Sequence, residues 1–352
     1  MRFPSEFDVG GRRVGGTSSC YVIAEVGSNH DRDLDKARRL IEVAAEAGAD
    51  AVKFQTYSGS RIYSRKTPSF AYLEPVSGDK SPAELLSEIE LPREWQRELA
   101  AHAASVGIHF FSSPFDADAV AELDALDVPA LKIASFEIVD LQLIECAAAT
   151  GRPLLISTGM STLGEIEDAL DAADRGGACA VGLFQCVSLY PAPDHLANLR
   201  AMATMRQAFG VPVGFSDHTT GIAVPIAAAA LGAAFIEKHL TLDRSSPGPD
   251  HPFALEPDEL KALVDGVRAA EAALGDGGKD GPADEERGEM YRLGRRSLVL
   301  TRDASAGTPL SRDLLTTKRP GFGVRPKYLE LVLGRPLLRD VEEDDILTWD
   351  LI

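Results

Sequence analysis

Apolar and polar positions alternate along most of the chain in a repeated two-part pattern. Short, nearly continuous apolar runs are followed by longer stretches in which Ala and Leu return every three or four residues. Eight such runs occur: "YVIAEVG", "DAVKFQT", "IHFFSSPF", "ALKIASFE", "PLLISTG", "VGLFQCVS", "VPVGFSDH" and "AFIEKHLT". Between them lie segments such as "DLDKARRLIEVAAEAG", "PREWQRELAAHAASVG" and "TLGEIEDALDAADRGG". Their period fits amphipathic helices. Several close on Gly, a helix-stop signal. A strand that is apolar at nearly every position is buried on both faces, as in a parallel sheet covered by helices. Eight strand–helix units in succession predict an α/β fold, a (β/α)8 TIM barrel over about residues 14–274. The alternative is an open doubly wound sheet, but no Gly-rich dinucleotide loop follows the first run.

The rhythm then stops. "GDGGKDGPADEERGE" is Gly-rich and acidic with no apolar period, and it reads as an exposed linker. Short β-like pieces follow, among them "RRSLVLTRD", "TTKRPGFGV" and "RPLLRDVEEDDIL". The expected organisation is a barrel over 1–275, a linker over 276–291 and a small β-rich domain over 292–352. One connection, 57–91, is longer than any other in the barrel. Insertions of that length often cover the active site; a plain surface loop is the alternative.

Charge narrows the partners. The net charge is -18, which speaks against nucleic acid, whose phosphates attract basic surfaces. From Arg292 onward 11 Lys/Arg stand against 9 Asp/Glu, so the acidity belongs to the barrel. No run has the length and apolarity of a membrane span or a signal-peptide core. The four cysteines lack paired metal-type spacing and read as reduced thiols of a cytoplasmic protein.

In a barrel of this type the chemistry sits where strands end, because eight loops converge there. The predicted strand ends carry Glu25 and Asn29; Lys53 and Gln55; Ser112 and Ser113; Lys132, Ser135 and Glu137; Ser157 and Thr158; Gln185 and Ser188; Asp217 and His218; Glu237, Lys238 and His239. Buried charge is costly unless paired, so this recurrence points to an enzyme. Single residues keep alternatives. His218 and His239 fall on adjacent strands and could share a divalent metal, or could be hydrogen-bonded structural histidines. Lys53 and Lys132 could bind phosphate, form a Schiff base, or pair with Glu25 or Glu137. The "STGMST" turn at Ser157 could offer donors to an anion or serve as a helix N-cap.

Taken together, "IAEVGSNHDRDLDKA", "GADAVKFQTY", "FFSSPFD", "LKIASFEI", "LISTGMST", "QCVSLYPAP", "GFSDHTTGIAVPIAAAALGA", "IEKHLTLD" and "PGPDHPFALEP" resemble the sialic (nonulosonic) acid synthase family. The tail, with "KRPGFGVRPKYLELVLGR", resembles that family's C-terminal antifreeze-like SAF domain. The resemblance implies condensation of phosphoenolpyruvate with an N-acylated hexosamine, giving a nine-carbon 2-keto acid and phosphate. It implies a divalent metal, Mn2+ or Mg2+, on His218 and His239. It places Lys53, Lys132, Ser135 and Ser157 on phosphate and carboxylate. Gln55, Ser113, Phe115, Ser188, Tyr190 and Asp250 fall to the substrate-binding positions. Glu25, Glu137 and Glu237 are left to move protons or offset positive charge. It also implies a domain-swapped homodimer, with Arg319 reaching into the neighbouring site.

Two departures bear on the sugar. Ser188 stands where many sialic acid synthases have Asn, and Phe136 in "ASFEI" replaces a small residue. With "KIASFEI" and "RPGFGVRPKYLE", they make the chain look most like pseudaminic acid synthases, ahead of N-acetylneuraminate or legionaminic acid synthases.

Overall fold

A computed structural model describes residues 2–64, 66–68 and 80–352. They form two compact units, Met1–Gly275 and Asp276–Ile352.

The first unit is built on eight parallel strands: β1 (Tyr21–Glu25), β2 (Ala51–Thr56), β3 (His109–Pro114), β4 (Leu131–Ile133), β5 (Leu154–Ser157), β6 (Val181–Cys186), β7 (Val213–Asp217) and β8 (Phe235–His239). Hydrogen-bonded neighbours run β3-β2-β1-β8-β7-β6-β5-β4. The first strand therefore pairs with the last, which makes a nearly closed TIM-type barrel. Among the described residues only the β3–β4 seam lacks a strand ladder, and β4 is the shortest of the eight.

Each strand is followed by a helix: α1 (Leu34–Glu46), α2 (Gln96–Val106), α3 (Ala117–Ala125), α4 (Leu141–Ala148), α5 (Leu163–Arg175), α6 (Ala201–Phe209), α7 (Ala223–Ala230) and α8 (Pro257–Leu274). Local chemistry sets their starts. Asp33, Asp116 and Asp140 accept backbone N–H groups at the first turns of α1, α3 and α4, and Thr162 with Glu165 forms a capping box on α5. Helix α1 shows the core-facing stripe in Ala37, Leu40, Ile41 and Ala44, all buried.

Aromatic side chains pack on both faces of the barrel wall, Phe54 and Phe110 on the face opposite Lys53. Phe184 and Phe235 stand 5.2 Å apart, and Phe54 and Phe110 5.5 Å apart. An antiparallel hairpin, Glu6–Val9 with Arg12–Gly15, precedes β1 and packs Phe7 against Phe235 at 6.1 Å. The apolar pattern did not predict this hairpin, which places the N-terminal residues at the first residue of β8, the end of that strand away from His239.

The second unit has its own core, including Leu298, Leu300, Leu314, Val324, Val332, Leu337 and Leu347. Strands Ser297–Leu300 and Leu315–Lys318 pair antiparallel. Among the described residues no helix is long and apolar enough to cross a membrane.

Candidate active site at the barrel rim

The C-terminal ends of the strands open on a cavity of about 650 Å³. All fifteen barrel residues assigned a site role by the resemblance line it; Arg319, the sixteenth, belongs to the second unit. Register explains much of the convergence. Glu25 pairs with Lys53 across β1 and β2, and Gln55 with Ser113 across β2 and β3. Lys53 Nζ lies 2.7 Å from Glu25 Oε2 and 3.6 Å from Glu237 Oε1, and donates to Ser113 Oγ at 3.2 Å. Gln55 Nε2 donates to the other Glu25 oxygen at 2.7 Å. On β4, Lys132 Nζ donates to Ser157 Oγ at 2.5 Å and to the Ile133 carbonyl at 3.1 Å. Ser157 is thus a partner of Lys132, while the cap of the next helix is Thr162.

The glutamates are driven apart electrostatically. Burial raises Glu25 to about 7 against the pull of Lys53. Glu237 is also buried, but Lys132 and Lys53 together carry it below the ordinary carboxylate value. Burial raises Glu137 to about 7, with one of its own backbone hydrogen bonds and Lys132 opposing. Burial works against the ammonium of Lys53, yet Glu237 and Glu25 more than offset it; Lys132 is held below its ordinary value by burial. Carboxyls of one cavity whose affinities for a proton differ are the usual arrangement for divided acid–base roles.

His218 and His239 face each other with ring centroids 5.5 Å apart and planes at 53°. His218 Nδ1–H donates to the Val187 carbonyl at 2.8 Å, which leaves the Nε2 lone pair for a ligand. His239 is held well below the ordinary imidazole value by burial and then by His218, which favours its neutral form. Its buried Nδ1 has no hydrogen-bond partner, nor do Glu237 Oε2, Glu137 Oε2 and Ser188 Oγ. Buried polar atoms are nearly always satisfied, so these orphans mark where a ligand belongs. Gly27, at φ +54°, lets the chain pass this point: a Cβ there would lie 2.6 Å from an Asp250 carboxylate oxygen and 3.3 Å from the His239 ring. Asp250 is held in turn by Ser28, whose N–H and Oγ donate at 3.3 and 3.1 Å.

Several polar strand-end residues serve the wall. Lys238 and Asp217 alternate with the cavity-facing Glu237, His239 and His218, and pair with each other at 2.7 Å, both side chains fully buried. Asn29 donates to the Leu240 carbonyl, Thr158 to Phe184 and Gln185 to Ala197, while Ser112 shares a hydrogen bond with Thr56. Lys238 is therefore a structural partner of Asp217, turned away from the cavity that Lys53 and Lys132 line. Arg319 is exposed, directly after the strand Leu315–Lys318.

The cavity also has a lining that motif reasoning did not assign. Ser28, Cys186, Leu189 and Ser216 border it, and so do Tyr57, Ile62, Tyr63, Leu86 and Ile89 from the 57–91 connection. That connection does reach the site; its residues 65 and 69–79 lie outside the described residues. Its apolar residues follow no simple period, so only their place after a strand end pointed to the site. Tyr57 packs edge-on to Phe115 at 5.6 Å. Phe136 lines the cavity and stays half exposed.

A parallel barrel whose rim gathers two ammonium groups, three glutamates and two imidazoles around one cavity has the make-up of an enzyme active site. The chain belongs to the NeuB family, whose model matches residues 40–279, and its tail matches the SAF domain over 295–352. It is 40% identical to the N,N'-diacetyllegionaminic acid synthase of Campylobacter jejuni, over 93% of this chain and 98% of that one. It is 35% identical to the pseudaminic acid synthase of Helicobacter pylori, over 94% and 96%. The crystal structure of an N-acetylneuraminic acid synthetase from Leptospira borgpetersenii, in complex with citrate, superposes with a TM-score of 0.71 at 35% identity, covering 82% of this chain and 97% of that one. The chain is an enzyme of the sialic, or nonulosonic, acid synthase family.

Proposed function

We propose that the enzyme joins C3 of phosphoenolpyruvate to the aldehyde carbon of an open-chain N-acylated aldose, giving a nine-carbon 2-keto acid and phosphate. One observation carries the reading: the two buried lysines of the rim share a cavity with two facing imidazoles. Lys53 and Lys132, with Ser113, Ser135 and Ser157, offer cations and hydroxyls to phosphate and carboxylate in an otherwise acidic protein. Such pre-placed charge costs no reorganisation during reaction.

The residues present fit a divalent metal, Mn2+ or Mg2+. Among the described residues no group of three His, Cys, Asp or Glu converges on one point, so an ion held by His218 and His239 would keep open positions for water and substrate oxygen. When bound, it would act as a Lewis acid on the acceptor aldehyde. Glu237, held ionised by two lysines, is suited to offset the positive charge that develops at C2 after C–C bond formation. Water adds at C2, and the resulting tetrahedral carbon expels phosphate. Glu25 and Glu137, poised near neutrality, are suited to take the proton of that water and protonate the new alkoxide.

The acceptor we propose is a 2,4-diacetamido-2,4,6-trideoxyhexose. Ser188 and Phe136 at the cavity support a modified sugar over N-acetylmannosamine, and "KIASFEI" favours the altrose isomer, hence a pseudaminic-type product. The 40% identity to a legionaminic acid synthase supports the manno isomer as the second reading. We further propose a homodimer in which the SAF domain of one subunit covers the other's barrel and presents Arg319. The test is a panel of N-acetylmannosamine and the two diacetamido isomers, each with phosphoenolpyruvate and Mn2+, read by phosphate release and product mass. Absence of phosphate release from every acceptor overturns the reading.

A further inference from the structure

We propose that the insertion after β2 sets acceptor specificity: Ile62, Leu86 and Ile89 form an apolar seat for a methyl group of the acceptor and reject a hydroxymethyl group there. This deepens the proposed reaction and rests on it. The insertion contributes two short helices, Gly59–Ile62 and Pro82–Ile89. They pack as one piece. A Cβ at Gly59 would lie 2.4 Å from Ser87 N, and Gly59 N–H donates to Glu90 at 2.9 Å. Arg32, in the loop after β1, donates to the Ser87 carbonyl at 3.0 Å and ties the piece to the rim.

Leu86 and Ile89 are three residues apart on one helix and share a face. Both are half-buried and border the cavity, as does Ile62, while Glu84 and Glu88 of the same helix are exposed. The reacting groups come from elsewhere: the imidazoles from β7 and β8, the lysines from β2 and β4. In the strand order β1 alone separates β2, which leads into the insertion, from β8, which carries His239. An acceptor reaching from the imidazoles to the insertion therefore passes from a polar end to an apolar one. A methyl group set against Ile62, Leu86 and Ile89 leaves water at a gain. A hydroxyl set there loses water with no aliphatic partner able to replace the hydrogen bond.

The test compares N-acetylmannosamine with its 6-deoxy counterpart, identical except at C6, using the full-length enzyme with phosphoenolpyruvate and Mn2+. Wild type is expected to favour the 6-deoxy acceptor in kcat/KM by roughly 10- to 200-fold, the range one group in an apolar pocket supplies. Leu86→Asn and Ile89→Asn are expected to remove most of that preference with the KM for phosphoenolpyruvate unchanged. Leu86→Met, which conserves apolar volume, is expected to retain it. The wild-type ratio is a readout that no folding defect can obscure. A ratio near one, or variants that slow both acceptors equally, overturns the specificity assignment alone. No phosphate release from any acceptor overturns the reaction beneath it as well.

Discussion

Replacing Lys238 by Met separates the two kinds of charge found at the strand ends. Lys238 Nζ lies 2.7 Å from Asp217 Oδ2, and neither side chain has any solvent exposure. The same ammonium donates to the Thr219 carbonyl, and Asp217 Oδ1 accepts the Thr219 N–H at 2.9 Å. Lys238→Met would strand a buried carboxylate without its cation, which costs about 3–5 kcal/mol. For a unit of this size each kcal/mol is worth roughly 2 °C of melting temperature, so Tm should fall by about 6–10 °C. The double change Lys238→Met with Asp217→Asn removes both charges and should recover much of the loss. Thermal unfolding followed by circular dichroism gives the stability; phosphate release well below both transitions gives the activity. Lys53→Met is the contrast. Its partner Glu25 borders the cavity and titrates near neutrality, so it can take up a proton when the cation is lost, while Lys132 still offsets the charge of Glu237; turnover should disappear with a smaller change in Tm. A Lys238→Met enzyme that melts like wild type, or that loses turnover while fully stable, refutes the division of these residues into wall and site.

Four further outcomes follow. His218→Ala and His239→Ala should each lower turnover by about 1000-fold or more, the loss of several kcal/mol of transition-state stabilisation, with folding intact; full activity of either in a chelator would rule out the metal role. Glu137 binds its proton more tightly folded than unfolded, so between pH 4.5 and about 7 the folded state holds more protons and stability falls as pH rises. Glu137→Gln should flatten that fall; an unchanged profile of Tm against pH would show that Glu137 is not the group responsible. Deleting residues 292–352 should leave a folded barrel with severely reduced turnover, since the first unit carries its own core. If two copies pair as proposed, mixing Arg319→Ala with His239→Ala chains should restore part of the activity when one subunit completes the other's site, and none when Arg319 acts within its own chain.

How much of this was legible in the sequence depends on the range of the interaction concerned. The eight strands and most of their helices were readable because burial on both faces of a parallel strand writes an unbroken apolar run, and capping writes Asp or Thr at a helix start. The N-terminal hairpin was not readable, because Phe7 gains its meaning from Phe235, more than two hundred residues away. The apolar seat at Ile62, Leu86 and Ile89 was hidden for the same reason: two short helical pieces bring it together, and neither carries a long period. The case of "FIEKHLTLD" is more instructive. Period two requires Glu237 and His239 to share one face and Lys238 to take the other. The sequence alone does not say which face is the cavity, so all three polar residues read alike. Pairing resolves it. Lys238 falls opposite Asp217 in the β7–β8 register, and that pair can be buried because each charge cancels the other. His218, one residue beyond Asp217, must then turn the same way as His239. The structural ion pair thus fixes the parity that brings the two imidazoles to one side, and a disturbed Lys238 should reach the chemistry only through the fold.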